Sequence, residues 1–196
     1  MFTGIVQEQL TIRQYQAGSP TIVTLTLPKW GKLDIGESVL LHGICTTVVT
    51  VTDQVFTVEL MTETLERTNA GQWVVGQQVH AEPSATLQTK LSGNLVYGHI
   101  DLAAIAQVIQ ENSITILVPE PYQDYIVEKG AVTMNGVNLT ITDATRGQCT
   151  VQLIPHTAAV TSLLQTPVGG TVNVEFDHLT KVIVQTVQNR LSTMSV

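Results

Sequence analysis

No uninterrupted apolar run in this chain reaches the roughly eighteen residues that a membrane-spanning helix needs. The opening Met1-Phe2-Thr3-Gly4-Ile5-Val6 lacks both the basic n-region and the long apolar h-region of a secretory signal. The expectation is a cytoplasmic protein with no membrane contact. Cysteine is scarce: Cys45 and Cys149 are the only two, too few for a disulfide framework and suited to a reducing compartment. Basic residues are also few. Nine Lys and Arg face sixteen Asp and Glu, for a net charge of −7, and no basic stripe exists. Binding nucleic acid by phosphate neutralisation is therefore not expected. His42, His80 and His178 have no metal-ligand spacing and are expected on the surface, with no metal site. With 43% apolar and 13% charged residues, the composition is that of a globular protein, not a disordered one. A chain of 196 residues can form one large or two small cores.

What the chain has is a repeat. Gly43 and Gly136 are 93 residues apart, and the same offset pairs Val39 with Val132, Thr47 with Thr140, Leu60 with Leu153 and Thr64 with Thr157. It continues through Thr68 and Thr161, Val75-Gly76 and Val168-Gly169, and Glu82 and Glu175. The beginnings slip by one residue: Gly4-Ile5-Val6 answers Gly98-His99-Ile100 at an offset of 94. We divide the chain at residues 1–89, 90–180 and 181–196: two copies, then a helix and tail. The polar stretch from Pro83 to Gly93 reads as the linker.

Within each copy the pattern is short strands. Thr21–Leu27, Val55–Leu60 and Ser113–Val118 alternate and are β-branched, and Pro28, Gly36, Gly43, Gly71 and Gly76 punctuate such runs. About six short strands in each copy favour a small closed barrel, because closure removes edges. After Asp177, a plausible N-cap, Val182, Val184, Val187 and Leu191 fall near helical spacing. β-Branching weakens that helix, so packing against partner subunits is expected to support it.

Several motifs together resemble the riboflavin synthase family, which includes non-catalytic lumazine and yellow fluorescent proteins. They are Met1-Phe2-Thr3-Gly4-Ile5-Val6, Gly43-Ile44-Cys45-Thr46-Thr47-Val48, Leu60–Leu65 with Arg67-Thr68-Asn69, and Gly98-His99-Ile100-Asp101. The second copy adds Glu128-Lys129-Gly130, Asn135–Thr140 and Leu153–Thr157. The resemblance implies an all-β fold of two tandem six-stranded Greek-key barrels with a C-terminal α-helix that assembles a homotrimer. It implies dismutation of two 6,7-dimethyl-8-ribityllumazine molecules to riboflavin and a ribitylamino-pyrimidinedione. No cofactor or metal is implied, although lumazine or riboflavin can co-purify as substrate or product. Association with lumazine synthase is a further implied partnership. The site is implied to form between the first barrel of one subunit and the second barrel of a neighbour.

Residue by residue, Cys45 is the sharpest catalytic candidate, because its repeat partner is Asn138 and the thiol occurs once. Ser38 faces Ala131 across the repeat, and His99 faces Ile5. An imidazole at 99 can take the acidic C7-methyl proton of a lumazine. In the family the first strand of each copy serves the other copy's ligand, which joins His99 to Cys45 and Gly4, Ile5 and Val6 to the second site. The expected ligand contacts of the first copy are Thr46, Thr47, Glu59, Leu60, Met61, Thr62, Glu63 and Thr64, with Gly98 and Ile100. Those of the second are Lys129, Asn138, Leu139, Thr140, Gln152, Leu153, Ile154, Pro155, His156 and Thr157. Their polar members suit the hydroxyls of a ribityl chain. Cys149, Trp30 and Trp73 are expected to pack.

Departures from the family pattern keep a lumazine- or flavin-binding antenna protein as the alternative. Asn94 stands where the family has histidine, His42 where it has Asn, and Thr46 where it has Leu. Asn135 and Asn138 stand where it has Asp and Ser.

Overall fold

In the computed structural model, which describes residues 1–145 and 147–194, alternation decides the strands. The first copy forms β1 (Glu8–Gln16), β2 (Thr21–Thr26), β3 (Ser38–Leu41), β4 (Ile44–Val51), β5 (Val55–Leu60) and β6 (Gln78–Pro83). They close in the order β1-β2-β5-β4-β3-β6. The second copy forms β7 (Leu102–Gln110), β8 (Ser113–Leu117), β9 (Ala131–Met134), β10 (Val137–Thr145), β11 (Gln148–Gln152) and β12 (Thr171–Phe176). Its closed order, β10-β11-β8-β7-β12-β9, is the same circuit. The expected pair of six-stranded antiparallel barrels is therefore what forms.

The repeat register survives in the backbone. The bulge at Ile12/Gln14 on β1 recurs at Ala106/Val108 on β7, and that at Val48/Thr50 on β4 recurs at Ile141/Asp143 on β10. These are the sequence offsets of 94 and 93 again. Bulges bend a strand and increase its twist, which lets six short strands close.

Each barrel has its own core. On β5, Phe56, Val58 and Leu60 point in while Glu59 points out. On β11, Cys149 and Val151 do the same for the second core. Burial pushes the Cys149 thiol up to about 12, so it packs as an inert small hydrophobe. Trp73 is buried with its indole N–H donating to Asn69 Oδ1 at 3.2 Å, and Trp30 packs on the first core.

Short helices α1 (Thr62–Arg67) and α2 (Pro155–Val160) follow β5 and β11. The chain ends in α3 (His178–Met194). Asp177 caps α3: its Oδ2 accepts from Thr180 N at 2.9 Å and from Thr180 Oγ1 at 3.1 Å. Leu179, Val182, Ile183 and Val187 are exposed on it.

The barrels meet across a pseudo-two-fold contact where the structure corrects the sequence reading. His42 and His80 are not surface residues; they are 5% and 1% exposed. His80 N donates to His42 Nδ1 at 3.0 Å, as Asn173 N donates to Asn135 Oδ1 at 2.8 Å. His80 Nδ1 lies 2.9 Å from Asn135 O, as Asn173 Nδ2 lies 2.9 Å from His42 O. His80 Nε2 accepts from Ser162 N at 2.8 Å, as Asn173 Oδ1 accepts from Asn69 N at 2.7 Å. Each imidazole does the work that an amide does in the other copy. That assigns the proton of His80 to Nδ1 and leaves Nδ1 of His42 bare. Between them Gly43 and Gly136 touch back to back. A Cβ on Gly43 would lie 2.8 Å from Gly136 N, and one on Gly136 would lie 2.9 Å from Gly43 N. Only glycine permits this approach.

Candidate pockets on the outer barrel walls

The period of two along β4 sets the site. Ile44, Thr46 and Val48 turn inward, so Cys45 and Thr47 face out. Ser38 on β3 pairs with Thr47 and faces the same way. Onto this wall the segment before β7 folds down. Cys45 N donates to Gly98 O at 2.9 Å. Gly98 adopts a left-handed φ of 75°, and a Cβ there would lie 2.6 Å from Cys45 N and 2.7 Å from Cys45 Cβ. Gly98→Ala is therefore expected to cost about 2–5 kcal/mol, a left-handed penalty plus a backbone clash. Urea denaturation measures it; an unchanged midpoint would mean that the segment can lift away from Cys45.

Cys45, Glu63, Thr64, Arg67, Gly98, His99, Ile100, Asp101 and Lys181 line the resulting cavity of about 420 Å³. The volume falls in the usual range for a small-molecule site. Burial is the largest influence on the Cys45 thiol, and the neighbouring Ser38 hydroxyl opposes it by favouring the ionised form. Burial outweighs that and, with the Glu175 carboxylate, pushes the thiol up. At neutral pH Cys45 is thus a neutral thiol, not a ready thiolate. The His99 ring makes no hydrogen bond among the described residues and is exposed to the cavity side. A larger hollow of about 720 Å³, among Leu27, Lys32, Asp34 and Val51, holds no thiol or imidazole.

The second wall mirrors the first. Asn138 N donates to Gly4 O at 2.9 Å, so the N-terminal segment lies on the second barrel as residues 97–99 lie on the first. Asn138 and Thr140 face outward on β10, and Gln152 does so on β11. Ile154, Pro155, His156 and Thr157 begin α2, opposite in the repeat to Met61, Thr62, Glu63 and Thr64 at the start of α1. Lys129 is exposed, in a left-handed turn with φ 64°, the counterpart of Gly36. Among the described residues, Asn138 Oδ1 is the buried side-chain oxygen left without a hydrogen-bond partner. Such an atom costs about 1–3 kcal/mol until a donor meets it. A hollow of about 250 Å³ opens nearby between Thr3, Ile5 and Gln7.

Some expected contacts turn elsewhere. Thr46 points into the barrel, 3% exposed, and its hydroxyl donates to Val39 O at 2.9 Å. Leu60, Leu139 and Leu153 are core side chains. Only their backbone groups remain for a ligand, because alternation sends these side chains inward. Val6 packs on the second core, and Ile5 is exposed. Of the family departures, His42 and Asn135 lie in the barrel contact, not in a pocket wall. Asn94 is exposed in the segment leading to His99.

Other groups had not been singled out. Glu82 accepts from Thr3 N at 2.7 Å and Gly4 N at 3.0 Å. Glu175 accepts from Tyr97 N at 2.8 Å, Gly98 N at 2.7 Å and His99 N at 3.0 Å. Each buried carboxylate holds one crossing segment in place, and burial raises both above the usual carboxylate range. The signal was in the repeat, which keeps a charged residue at the same place in two apolar strands. Among the described residues, no cluster of three or more His, Cys, Asp or Glu could hold a metal ion.

The lumazine binding domain family model matches residues 3–84 and again 97–177. The chain is 35% identical to riboflavin synthase of Photobacterium phosphoreum over 192 residues, covering 93% of this chain and 87% of that one. It is 34% identical to riboflavin synthase of Bacillus subtilis, with 92% and 87% covered, and 34% identical to that of Mycobacterium bovis, with 93% and 96% covered. The crystal structure of LumP complexed with riboflavin shares the fold, with a TM-score of 0.84 at 23% identity over 91% of this chain and all of that one. LumP complexed with 6,7-dimethyl-8-(1'-D-ribityl) lumazine superposes with a TM-score of 0.82 at 22% identity over the same shares. With one domain matched twice in the register of its own repeat, and with relatives a third identical along nearly their whole length, this chain belongs to the riboflavin synthase family.

Proposed function

We propose that this protein is a riboflavin synthase, a transferase that converts two molecules of 6,7-dimethyl-8-ribityllumazine into riboflavin and 5-amino-6-(ribitylamino)pyrimidinedione, the final step of riboflavin biosynthesis. The observation that carries the reading is the unequal pair of pocket walls. One has Ser38, a thiol and an imidazole; the other has Ala131, Asn138 and Ile5 at the equivalent places. A reaction between two copies of one molecule needs two alike pockets that treat their occupants differently. Holding both reactants in place removes the cost of their encounter.

His99 takes the C7-methyl proton of the lumazine in the Cys45 pocket. Cys45 and Ser38 present a neutral wall to the ring. A four-carbon unit then passes from one lumazine to the other, without cofactor or metal. In the second pocket the Asn138 amide stands where the first has the Cys45 thiol. Glu63 and Thr64, with His156 and Thr157, offer polar partners to the ribityl chains.

Assembly belongs to α3. Leu179, Val182, Ile183 and Val187 form an exposed apolar face that a homotrimer would cover, bringing the first barrel of one subunit to the second barrel of the next. The two free cysteines are in keeping with the cytoplasm, where lumazine synthase is the proposed partner.

Purified protein incubated with 6,7-dimethyl-8-ribityllumazine is expected to form riboflavin, followed by absorbance or fluorescence. Tight binding without turnover would replace the enzyme with the antenna-type protein. Binding of a single ligand per chain would show that one pocket is dead.

A further inference from the structure

The segment carrying His99 is fastened from two sides. Asp101, two residues on, donates its N–H to Val174 O at 2.8 Å, and its Oδ2 accepts from Phe176 N at 2.9 Å. The same carboxylate takes the Lys181 ammonium with both oxygens, at 2.8 and 3.0 Å. The pair is mostly shielded, with side chains 21% and 18% exposed, so it is not an ordinary surface ion pair. Lys181 stands in the first turn of α3, and His178 on that turn packs against Tyr97 with the rings tilted by 45° and their centroids 4.7 Å apart. The first turn of α3 therefore grips residues 97–101 at both ends. The other copy has no such grip. Gln7 stands where Asp101 would be, exposed, and no helix follows β6.

We propose that Lys181 is a positioning residue for the reaction: by clamping Asp101 it holds the 97–101 segment so that His99 stays over the Cys45 wall, and it ties that geometry to the assembly helix. The proposal rests on the riboflavin synthase reading for its chemistry, but not for its geometry. The clamp sits only in the pocket that holds the base. A base displaced by an ångström loses rate, not affinity, so the clamp acts on kcat.

Lys181→Met and Lys181→Arg, in the full-length chain, test this with two measurements. The first is hydrogen–deuterium exchange of the peptide spanning 97–101, whose amides at 98, 99 and 101 are bonded to Glu175 and Val174. The second is the steady-state turnover of 6,7-dimethyl-8-ribityllumazine. Lys181→Met is expected to speed that exchange about tenfold and to lower kcat by about 10- to 100-fold, with KM within a few-fold. Lys181→Arg keeps the charge and reach and is expected to restore both. Faster exchange with unchanged kcat overturns the proposal, as does a fall in kcat with unchanged exchange, which would mean direct contact with substrate. A rise in KM at constant kcat overturns it in favour of a binding role. If Lys181→Met does not fold, failure of Lys181→Arg to match the wild type in either measurement counts against it. If the wild type itself does not turn over, the riboflavin synthase reading fails. Exchange then decides the clamp alone, which stands if the segment loosens and falls if it does not.

Discussion

His99→Ala is expected to lower the turnover of 6,7-dimethyl-8-ribityllumazine by about 100- to 10,000-fold, the usual contribution of a positioned general base. KM should stay within a few-fold. The prediction follows from what surrounds the ring. Its backbone N–H is held by Glu175, while its side chain makes no hydrogen bond among the described residues and borders the cavity that Cys45 lines. Beside it the Cys45 thiol is a weaker proton acceptor, since burial favours its protonated form. Cys45→Ser keeps a small hydroxyl beside Ser38 and is expected to cost much less. Steady-state kinetics of both variants decides the roles. Wild-type kcat in His99→Ala would move the base elsewhere, and an equal or larger loss in Cys45→Ser would make the sulfur a nucleophile.

Acid is expected to loosen the protein through the barrel contact. Burial holds His80 down to about 4, whereas the unfolded chain titrates it near its ordinary value of about 6.5. The folded imidazole thus stays neutral while the unfolded one takes up a proton as the pH falls through 6.5. Stability is fully present above that pH and is lost until the folded group itself titrates near 4. At about 1.4 kcal/mol per pH unit, the loss through His80 is about 3 kcal/mol. His42 adds to it with the same sign, lowered by burial and by His80 beside it. Geometry agrees: a proton on His80 Nε2 would abolish the acceptor of the half-buried Ser162 N–H, and one on His42 Nδ1 the acceptor of the buried His80 N–H. Glu82 and Glu175, raised by burial, act with the opposite sign and favour the folded state at low pH. The histidine part is isolated with His42→Asn/His80→Asn, which copies the Asn135 and Asn173 arrangement. Urea denaturation at pH 7, 5 and 4 should show the wild type losing more stability than the double variant. Parallel losses would remove the histidines as the cause.

These two results draw on different kinds of information. Period-two alternation in segments such as Val55–Leu60, and the offsets of 93 and 94, were enough for two like barrels, because strand formation and facing are local. Asp177 before an apolar stripe was enough for the cap of α3. The unequal trio of Ser38, Cys45 and His99 could be read off the repeat, since each residue had a visible counterpart that differed. The crossing of the two leading segments came only through the family resemblance. His42 and His80 read as surface because a polar residue at a strand end has the same local pattern whether it meets water or another barrel. Lys181 and Asp101, eighty positions apart, show no pattern in one dimension. Burial of a polar group depends on which faces the folded barrels bring together. That is a long-range property, and so the two like barrels were visible in the chain while the clamp and the barrel contact emerged only in three dimensions.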